Sequence, residues 1–202
     1  MSTTVTPDRS TLSKSRLQSP RTPLSPAGTT VGAVRVREAI EKFCDLHKKW
    51  HNTIRKGTQY CSGIESIKMG ILEAQSEEKN PYPANLKLYC GNLSVLCGIL
   101  RDVTSDLETL IGQLEVLHIA LKDEVIGRSW NLVRVLDSLR TILERYRSEV
   151  SLRKVITENI GHACDKTEMT LHVAFWEQLT NQNEDVDLLA RMLVVEFGLP
   201  VA

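Results

Sequence analysis

Apolar residues follow one unbroken heptad pattern through the middle of the chain. Between positions 86 and 121 they recur at alternating steps of three and four residues. These residues are Leu86, Tyr89, Leu93, Leu96, Leu100, Val103, Leu107, Leu110, Leu114, Leu117 and Leu121. The positions that flank this seam include Cys97, Ile99, Ile111 and Ala120. Because the apolar stripe is wider than a two-stranded seam, the pattern predicts a helix over 84–126 that lies in a bundle of three or more helices.

A first helix is predicted over 34–79, ahead of the heptad helix. Its apolar stripe consists of Val36, Ile40, Phe43, Trp50, Ile54, Ile64 and Ile71. Gly57, Gly63 and Gly70 weaken its second half, so the sequence predicts a kink or a break there. The run Asn80-Pro81-Tyr82-Pro83 ends the helix, because a residue before a proline is pushed away from helical angles.

A third helix is predicted over 129–160, with Ser129 as its N-cap. Its apolar stripe consists of Leu132, Leu136, Leu139, Leu143, Tyr146 and Val150. Arg145, Glu149 and Arg153 follow one another at i, i+4 spacing, and we expect them to bind each other on the exposed side of the helix. Gly161 is expected to end the helix in a left-handed cap.

Two shorter helices are predicted over 166–180 and 183–197. Asp165 and Glu168 have the spacing of a capping box at the start of the fourth helix. The apolar stripe of the fifth helix consists of Val186, Leu189, Leu193 and Phe197. Gly198 after this stripe is typical of a helix C-terminus. No segment alternates with a period of two, so we expect no sheet.

These patterns predict an all-α fold. We expect an elongated antiparallel helical bundle or coiled coil over 33–198, with a short C-terminal helical pair. Residues 1–32 are expected to form a disordered tail, since thirteen of the first thirty residues are Ser or Thr and none is aromatic. Such a segment buries too little apolar surface to offset its conformational entropy.

The N-terminal tail carries four candidate phosphorylation sites. Thr6, Ser19, Thr22 and Ser25 each stand directly before a proline. Proline-directed kinases need that dipeptide in an accessible, extended backbone, and phosphates would reverse the positive charge of the tail. A segment rich in Ser, Thr and Pro also produces such dipeptides by composition alone.

The charge balance limits the kinds of partner that we expect, and the cysteines indicate the cellular compartment. The 25 Lys and Arg residues balance the 25 Asp and Glu residues. No basic stripe interleaved with aromatic residues occurs, so we expect no direct binding to nucleic acid. The longest nearly unbroken apolar stretch, 93–100, is too short to cross a bilayer, and we expect no membrane segment. Five cysteines without a CxxC pair favour a reducing compartment, either nucleus or cytoplasm.

Two groups of residues could carry chemistry. Cys44, His47 and His51 share one helical face and could ligate a metal, but a helix–helix contact is the better explanation, because no second pair of ligands with metal-site spacing occurs elsewhere. His162 and Cys164 lie close together, yet a nucleophilic cysteine would need an orienting residue and an oxyanion hole, and neither is identifiable. We therefore predict no enzymatic activity, no metal and no cofactor.

Several short motifs, taken in order, resemble one known family. They are Trp50-His51-Asn52-Thr53-Ile54; Trp130 with Tyr146-Arg147-Ser148-Glu149, Leu152, Val155 and His162; and Thr170-Leu171, Trp176, Leu193 and Glu196-Phe197-Gly198. In these motifs the chain resembles the cyclin-dependent kinase 2-interacting protein (CINP) family. The resemblance is best over 130–198 and around 50–54.

The resemblance implies a non-enzymatic adaptor in the nucleus. It links the chain to cyclin-dependent and origin-firing S-phase kinases, to DNA replication and to the ATR checkpoint through the ATR-interacting protein. It also implies a link to AAA ATPase subunits that act in maturation of the large ribosomal subunit. The candidate partner-binding residues that it implies are Trp50, His51, Asn52, Trp130, Arg147, Glu149 and Trp176. For the tryptophans, a place in the core is the alternative to an interface role.

A second functional class stays open at this point. A purely structural coiled-coil subunit of a tethering or cytoskeletal assembly would also use a long heptad seam. A seam that associates with other copies or other chains would favour that class, whereas an apolar groove on a folded bundle would favour the adaptor.

Overall fold

The computed structural model describes residues 26–73, 82–121, 124–181 and 184–200. These residues form five α helices and one short 3-10 turn. The helices are α1 (Pro26–Glu73), α2 (Ala84–Leu121), α3 (Leu132–Asn159), α4 (Lys166–Asn181) and α5 (Glu184–Glu196), and the 3-10 turn is Ile160–His162. The described residues contain no strand, only an isolated bridge between Val125 and Asn131. The predicted all-α fold is confirmed. None of the described helices is apolar over a length that could span a membrane.

The first three helices run alternately up and down. Gly32 near the start of α1 lies against Leu121 at the end of α2, and Gly63 lies against Tyr89 near the start of α2. The α2 and α3 helices are antiparallel as well, because Glu115 pairs with Arg140. At 48 residues, α1 is about 70 Å long at ~1.5 Å per residue, so the elongated antiparallel arrangement is as predicted.

The two C-terminal helices together take the place of a fourth helix. Lys166 at the start of α4 pairs with Glu73 at the end of α1. At the start of α5, Asp185 pairs with Arg145 in the middle of α3. At the end of α5, Glu196 reaches Ser129 ahead of α3. Both helices therefore run antiparallel to α1 and α3, with a break between them.

The core has two parts, one on each side of this break. The larger part contains apolar residues of α1, α2, α3 and α5. The smaller part is built from the second half of α1, the start of α2, the end of α3 and α4. Nine of the eleven heptad residues of α2 are buried, and Tyr89 and Leu117 are partly buried. The heptad seam is thus the central wall of one chain's own bundle.

The start of α1 differs from the prediction. The helix begins at Pro26, so residues 26–32 are helical, whereas the sequence placed them in the tail. Proline is compatible with the first turn of a helix, and Gly32 gives room to the side chain of Leu121. The candidate phosphorylation sites Thr6, Ser19, Thr22 and Ser25 lie outside the described residues, as does the predicted end of α1 over 74–79.

The glycines of α1 do not break the helix, which is continuous from Pro26 to Glu73. The prediction of a break was therefore wrong, and two of these glycines accommodate aromatic rings. A Cβ atom at Gly57 would overlap the indole of Trp176, and one at Gly63 would overlap the ring of Tyr89. At these two positions the lack of a side chain permits the close packing of a ring.

Helix ends follow the sequence only in part. Half of the capping box at α4 is confirmed, since Asp165 Oδ1 accepts from the Glu168 backbone N–H at 2.8 Å. The Glu168 carboxylate accepts from the backbone N–H of Cys164 instead of that of Asp165. Gly198 has φ +61° and ends α5 as predicted. Gly161 was predicted to be a left-handed cap, but it lies in the 3-10 turn without a positive φ. A Cβ atom there would overlap the thiol of Cys90.

The segment between α2 and α3 is longer in sequence than predicted. The α2 helix ends at Leu121, and Ile126 is no longer helical because its N–H donates to the Trp130 carbonyl. The N-cap of α3 is Asn131, whose side chain accepts from Arg134 N at 3.1 Å. The predicted cap, Ser129, instead donates its N–H and hydroxyl to Glu196.

Candidate functional site

A cleft of about 550 Å³ lies between α1 and α5, close to the break between α4 and α5. One turn of α1 supplies His47 and His51 to it, because residues four apart share a helical face. The first turn of α5 supplies Asp187 from the opposite wall. The cleft also contains Cys44, Asn52 and three exposed cations, Lys48, Arg55 and Arg191.

The two imidazoles and the carboxylate meet at one point. The Nε2 atoms of His47 and His51 lie 3.2 Å apart. Asp187 Oδ1 lies 3.1 Å from His51 Nε2 and 3.7 Å from His47 Nε2. This is the one group of three or more potential ligands that the described residues bring together.

Tyr146 of α3 contacts the other ring nitrogen of His47. Its hydroxyl lies 2.6 Å from His47 Nδ1, so one hydrogen bond joins the two groups. The ring of Tyr146 is itself stacked on Trp50, with centroids 3.8 Å apart and 7° between the planes. The orientation of His47 is therefore fixed by a buried aromatic pair.

Burial determines the charge of His47. Loss of solvent and, to a lesser extent, the neighbouring His51 lower the pKa of His47 to about 4, against the opposing effect of Asp187. The imidazole of His47 is therefore neutral at physiological pH. A neutral imidazole can accept a proton or ligate a metal ion.

The sequence had grouped His47 and His51 with Cys44. The structure keeps the two histidines together and replaces the cysteine by Asp187, which lies within 4.8 Å of both. Cys44 lines the cleft but is not a member of the group. Asp187 comes from a distant helix, and no local spacing in the sequence could have indicated it.

The other proposed chemistry is not supported by the geometry. Cys164 is exposed, and its thiol lies 3.4 Å from the main-chain oxygen of His162. The ring of His162 instead bonds the hydroxyl of Tyr82 through Nδ1 at 2.8 Å.

Four of the candidate partner-binding residues are buried within this chain. Trp50 and Trp176 are fully buried, while Trp130 and Glu149 are 5% and 6% exposed. The indole rings of the three tryptophans also pack against side chains of this chain. Trp50 stacks on Tyr146, and an arginine lies over Trp130 and another over Trp176. The expectation that they contact a partner is corrected here: they are core residues of the folded chain.

The other three candidates keep solvent-accessible surface. Asn52 is exposed and His51 partly exposed, both in the cleft. Arg147 lies on the outside of the bundle and pairs with Glu108 of α2 at 2.6 Å. Partner binding by these three stays a prediction.

The predicted surface trio of α3 is also corrected. Arg153 is fully buried and Glu149 nearly so, and they form an ion pair with each other. Arg145 points away from this pair and binds Asp185 of α5. The i, i+4 spacing correctly indicated the Glu149–Arg153 contact, but on the wrong side of the helix.

The outer face of α5 is a feature that the sequence analysis missed. The predicted inner stripe is confirmed, with Val186, Leu193 and Phe197 buried. On the opposite face Leu188, Met192 and Val195 are 58%, 36% and 50% exposed. We call these three residues the α5 outer face; they border a cleft of about 320 Å³ that Trp130 also lines.

No protein-family model and no curated protein matches this chain.

Proposed function

We propose that this chain is a non-enzymatic adaptor that docks on a larger complex through the α5 outer face. The observation that carries the proposal is the position of Leu188, Met192 and Val195 at i, i+4 and i+7 on the solvent side of α5. A helix that is apolar on both faces is typical of one that is buried on both sides.

The spacing of the α5 outer face supports a partner of defined chemistry. Anchors at i, i+4 and i+7 fit the apolar stripe or groove of a partner helix. The cleft beside them supplies a place for one partner side chain, since Trp130 and Arg191 line it with the residues of the α5 outer face. A docked partner helix would pack on the solvent side of α5.

The burial of the heptad seam supports the adaptor over a coiled-coil tether. The seam residues of α2 pack against α1 and α3 of the same chain. A self-associating coiled coil would need that seam for other copies, whereas docking through α5 leaves the bundle intact.

The family resemblance gives the proposed context of this adaptor. We place it in the nucleus, with S-phase kinases, the ATR-interacting protein and AAA ATPase subunits as the proposed partners. It would connect replication and the checkpoint with maturation of the large ribosomal subunit. The resemblance, and not the geometry, supports this choice of partners.

The test is a co-purification from dividing cells with quantitative mass spectrometry. The tagged chain is compared with a double variant of the α5 outer face, Leu188→Gln with Met192→Gln. The matched control is Val116→Gln with Ile119→Gln, which changes two exposed apolar residues on α2. Circular dichroism verifies that all three proteins are equally helical.

We expect the wild type and the α2 control to recover the proposed kinases, checkpoint factor or ATPase subunits, and the α5 variant to lose them at least about tenfold. Equal recovery by the α5 variant would refute docking through this face. Recovery of filament or tether proteins alone would favour the structural subunit.

A further inference from the structure

Three potential metal ligands from α1 and α5 point at one position in the cleft. His47 Nε2, His51 Nε2 and Asp187 Oδ1 are separated by 3.2, 3.1 and 3.7 Å. We propose that these three residues bind one Zn²⁺ ion, which joins the first turn of α5 to the middle of α1.

The separations match those of a zinc site. Zinc binds imidazole nitrogen and carboxylate oxygen at about 2.0–2.2 Å, mostly in a tetrahedron. Two ligand atoms of such a tetrahedron are about 3.3–3.5 Å apart. The three measured separations lie on either side of that value, so an ion fits with shifts of a few tenths of an ångström.

The Oδ1 atom of Asp187 is a second observation that points to a cation. Its Oδ1 atom is buried, and it accepts no hydrogen bond with acceptable geometry from the described residues. The distance of 3.1 Å to His51 Nε2 qualifies as an ion pair only if the imidazole is protonated. A buried carboxylate oxygen without a donor is costly, and a metal ion at this point would satisfy it.

The surroundings of His47 resemble the outer shell of a metal site. A metal-bound histidine normally engages its other ring nitrogen in a hydrogen bond that fixes the ring. The Tyr146 hydroxyl does this at Nδ1 of His47, at 2.6 Å. Nε2 is thereby directed at the position shared with His51 and Asp187.

The fourth coordination position opens into the cleft. The side chains of His51 and Asp187 are 32% and 33% exposed, so a water molecule can complete the tetrahedron. Lys48, Arg55 and Arg191 line the same cleft and oppose a dication. All three side chains are exposed, so water and salt weaken their repulsion of the ion.

The site has a structural consequence. The α5 helix is short, and residues 182–183 before it lie outside the described part. An ion shared between α1 and α5 would hold α5 in place, and it would stabilise the folded chain by mass action. Binding of the ion does not depend on a partner at the α5 outer face.

The test uses the full-length chain, freed of metal by a chelator and titrated with Zn²⁺ by calorimetry at physiological ionic strength. Two ligand variants on different helices are compared, His51→Ala and Asp187→Asn. The controls are Asp185→Asn, an exposed carboxylate two residues away, and Cys44→Ser, the cysteine in the cleft. Circular dichroism without metal verifies that each variant is folded, and Co²⁺ spectra report the ligand type.

We expect one equivalent of Zn²⁺ to bind the wild type and both controls, and each ligand variant to bind at least about tenfold more weakly. The Co²⁺ complex should show tetrahedral bands without a thiolate charge-transfer band. The proposal is overturned if the wild type binds no stoichiometric Zn²⁺, if both ligand variants bind as the wild type does, or if thiolate ligation appears.

Discussion

The guanidinium of Arg153 lies over the indole of Trp176, 4.5 Å from the ring centre, and both side chains are fully buried. The same guanidinium donates to the Trp176 carbonyl at 3.3 Å and to Glu149 Oε2 from Nε and Nη2. Burial lowers the pKa of Arg153, and the carboxylate of Glu149 opposes this effect. The core next to α4 therefore contains a buried ion pair whose guanidinium packs on the indole of Trp176.

The first prediction concerns this ion pair. We expect Arg153→Met to lower the free energy of unfolding by about 3–5 kcal/mol, because it leaves the Glu149 carboxylate buried without its cation. Adding Glu149→Gln should restore part of the loss, since the uncompensated charge is then gone. Urea unfolding followed by circular dichroism measures both changes.

Arg145→Met is the matched control on the same helix. Arg145 pairs with Asp185 at the surface, with its side chain 62% exposed. Exposed pairs of this kind contribute up to about 1 kcal/mol. Similar losses for Arg145→Met and Arg153→Met would show that Arg153 does not contribute as a buried charge.

The helices could be predicted from the sequence because their burial follows a period. The heptad seam of α2 and the inner stripe of α5 repeat along one chain segment, and the structure buries them as predicted. The burial of Glu149 and Arg153 on α3 could not be predicted in this way. Charged residues are assigned to the surface by default, and the buried place of this guanidinium depends on the indole of Trp176 from another helix.

Only part of the candidate metal site could be predicted from the sequence. His47 and His51 share a face of one helix, and this relation is local. Asp187 joins them only because α5 folds back antiparallel to α1, which is a matter of tertiary packing. The role of Gly57 depends likewise on a ring from another helix. The sequence indicates that a residue is small or charged, but not which element will meet it.

The second prediction concerns glycine in helices. We expect Gly57→Ala to destabilise the protein by about 1–3 kcal/mol, although alanine is the better helix former, because its methyl group would collide with Trp176. Gly112→Ala on the exposed side of α2 meets no atom within 4 Å and should stabilise by roughly 0.5–1 kcal/mol. Thermal unfolding by circular dichroism compares the two. Stabilisation by both substitutions would refute the close packing at Gly57.

The third prediction concerns the contact between the end of α5 and the start of α3. Glu196 accepts hydrogen bonds from the backbone N–H groups of Ser129 and Trp130 and from the Ser129 hydroxyl. Burial raises the pKa of Glu196, but these hydrogen bonds outweigh it, and the pKa lies below the ordinary value of 4.5. We expect Glu196→Gln to cost about 1.5–3 kcal/mol near neutral pH, because hydrogen bonds to a charged group are replaced by weaker ones.

The pH dependence of this contact follows from the direction of the shift. A carboxyl group whose pKa is lowered by folding stabilises the protein fully above its unfolded value, here 4.5, and loses this contribution as the pH falls through the folded value. The difference in unfolding free energy between wild type and Glu196→Gln should therefore be constant above that pH and shrink below it. A difference that grows in acid would contradict the bonded carboxylate. Glu184→Gln, at the exposed start of the same helix, is the control.

The fourth prediction concerns the reactivity of the cysteines. Cys61 is fully buried, and burial raises its pKa to about 12, against the opposing effect of Arg153. Cys164 is exposed on the loop before α4. Because the thiolate is the reactive form, we expect iodoacetamide at about pH 8 to modify Cys164 in the native protein and to leave Cys61 unmodified until denaturant is added. Peptide mapping by mass spectrometry follows each site, with Cys164→Ser as the control that removes the fast phase. Native modification of Cys61 at the rate of Cys164 would mean that the core between α1 and α4 opens readily.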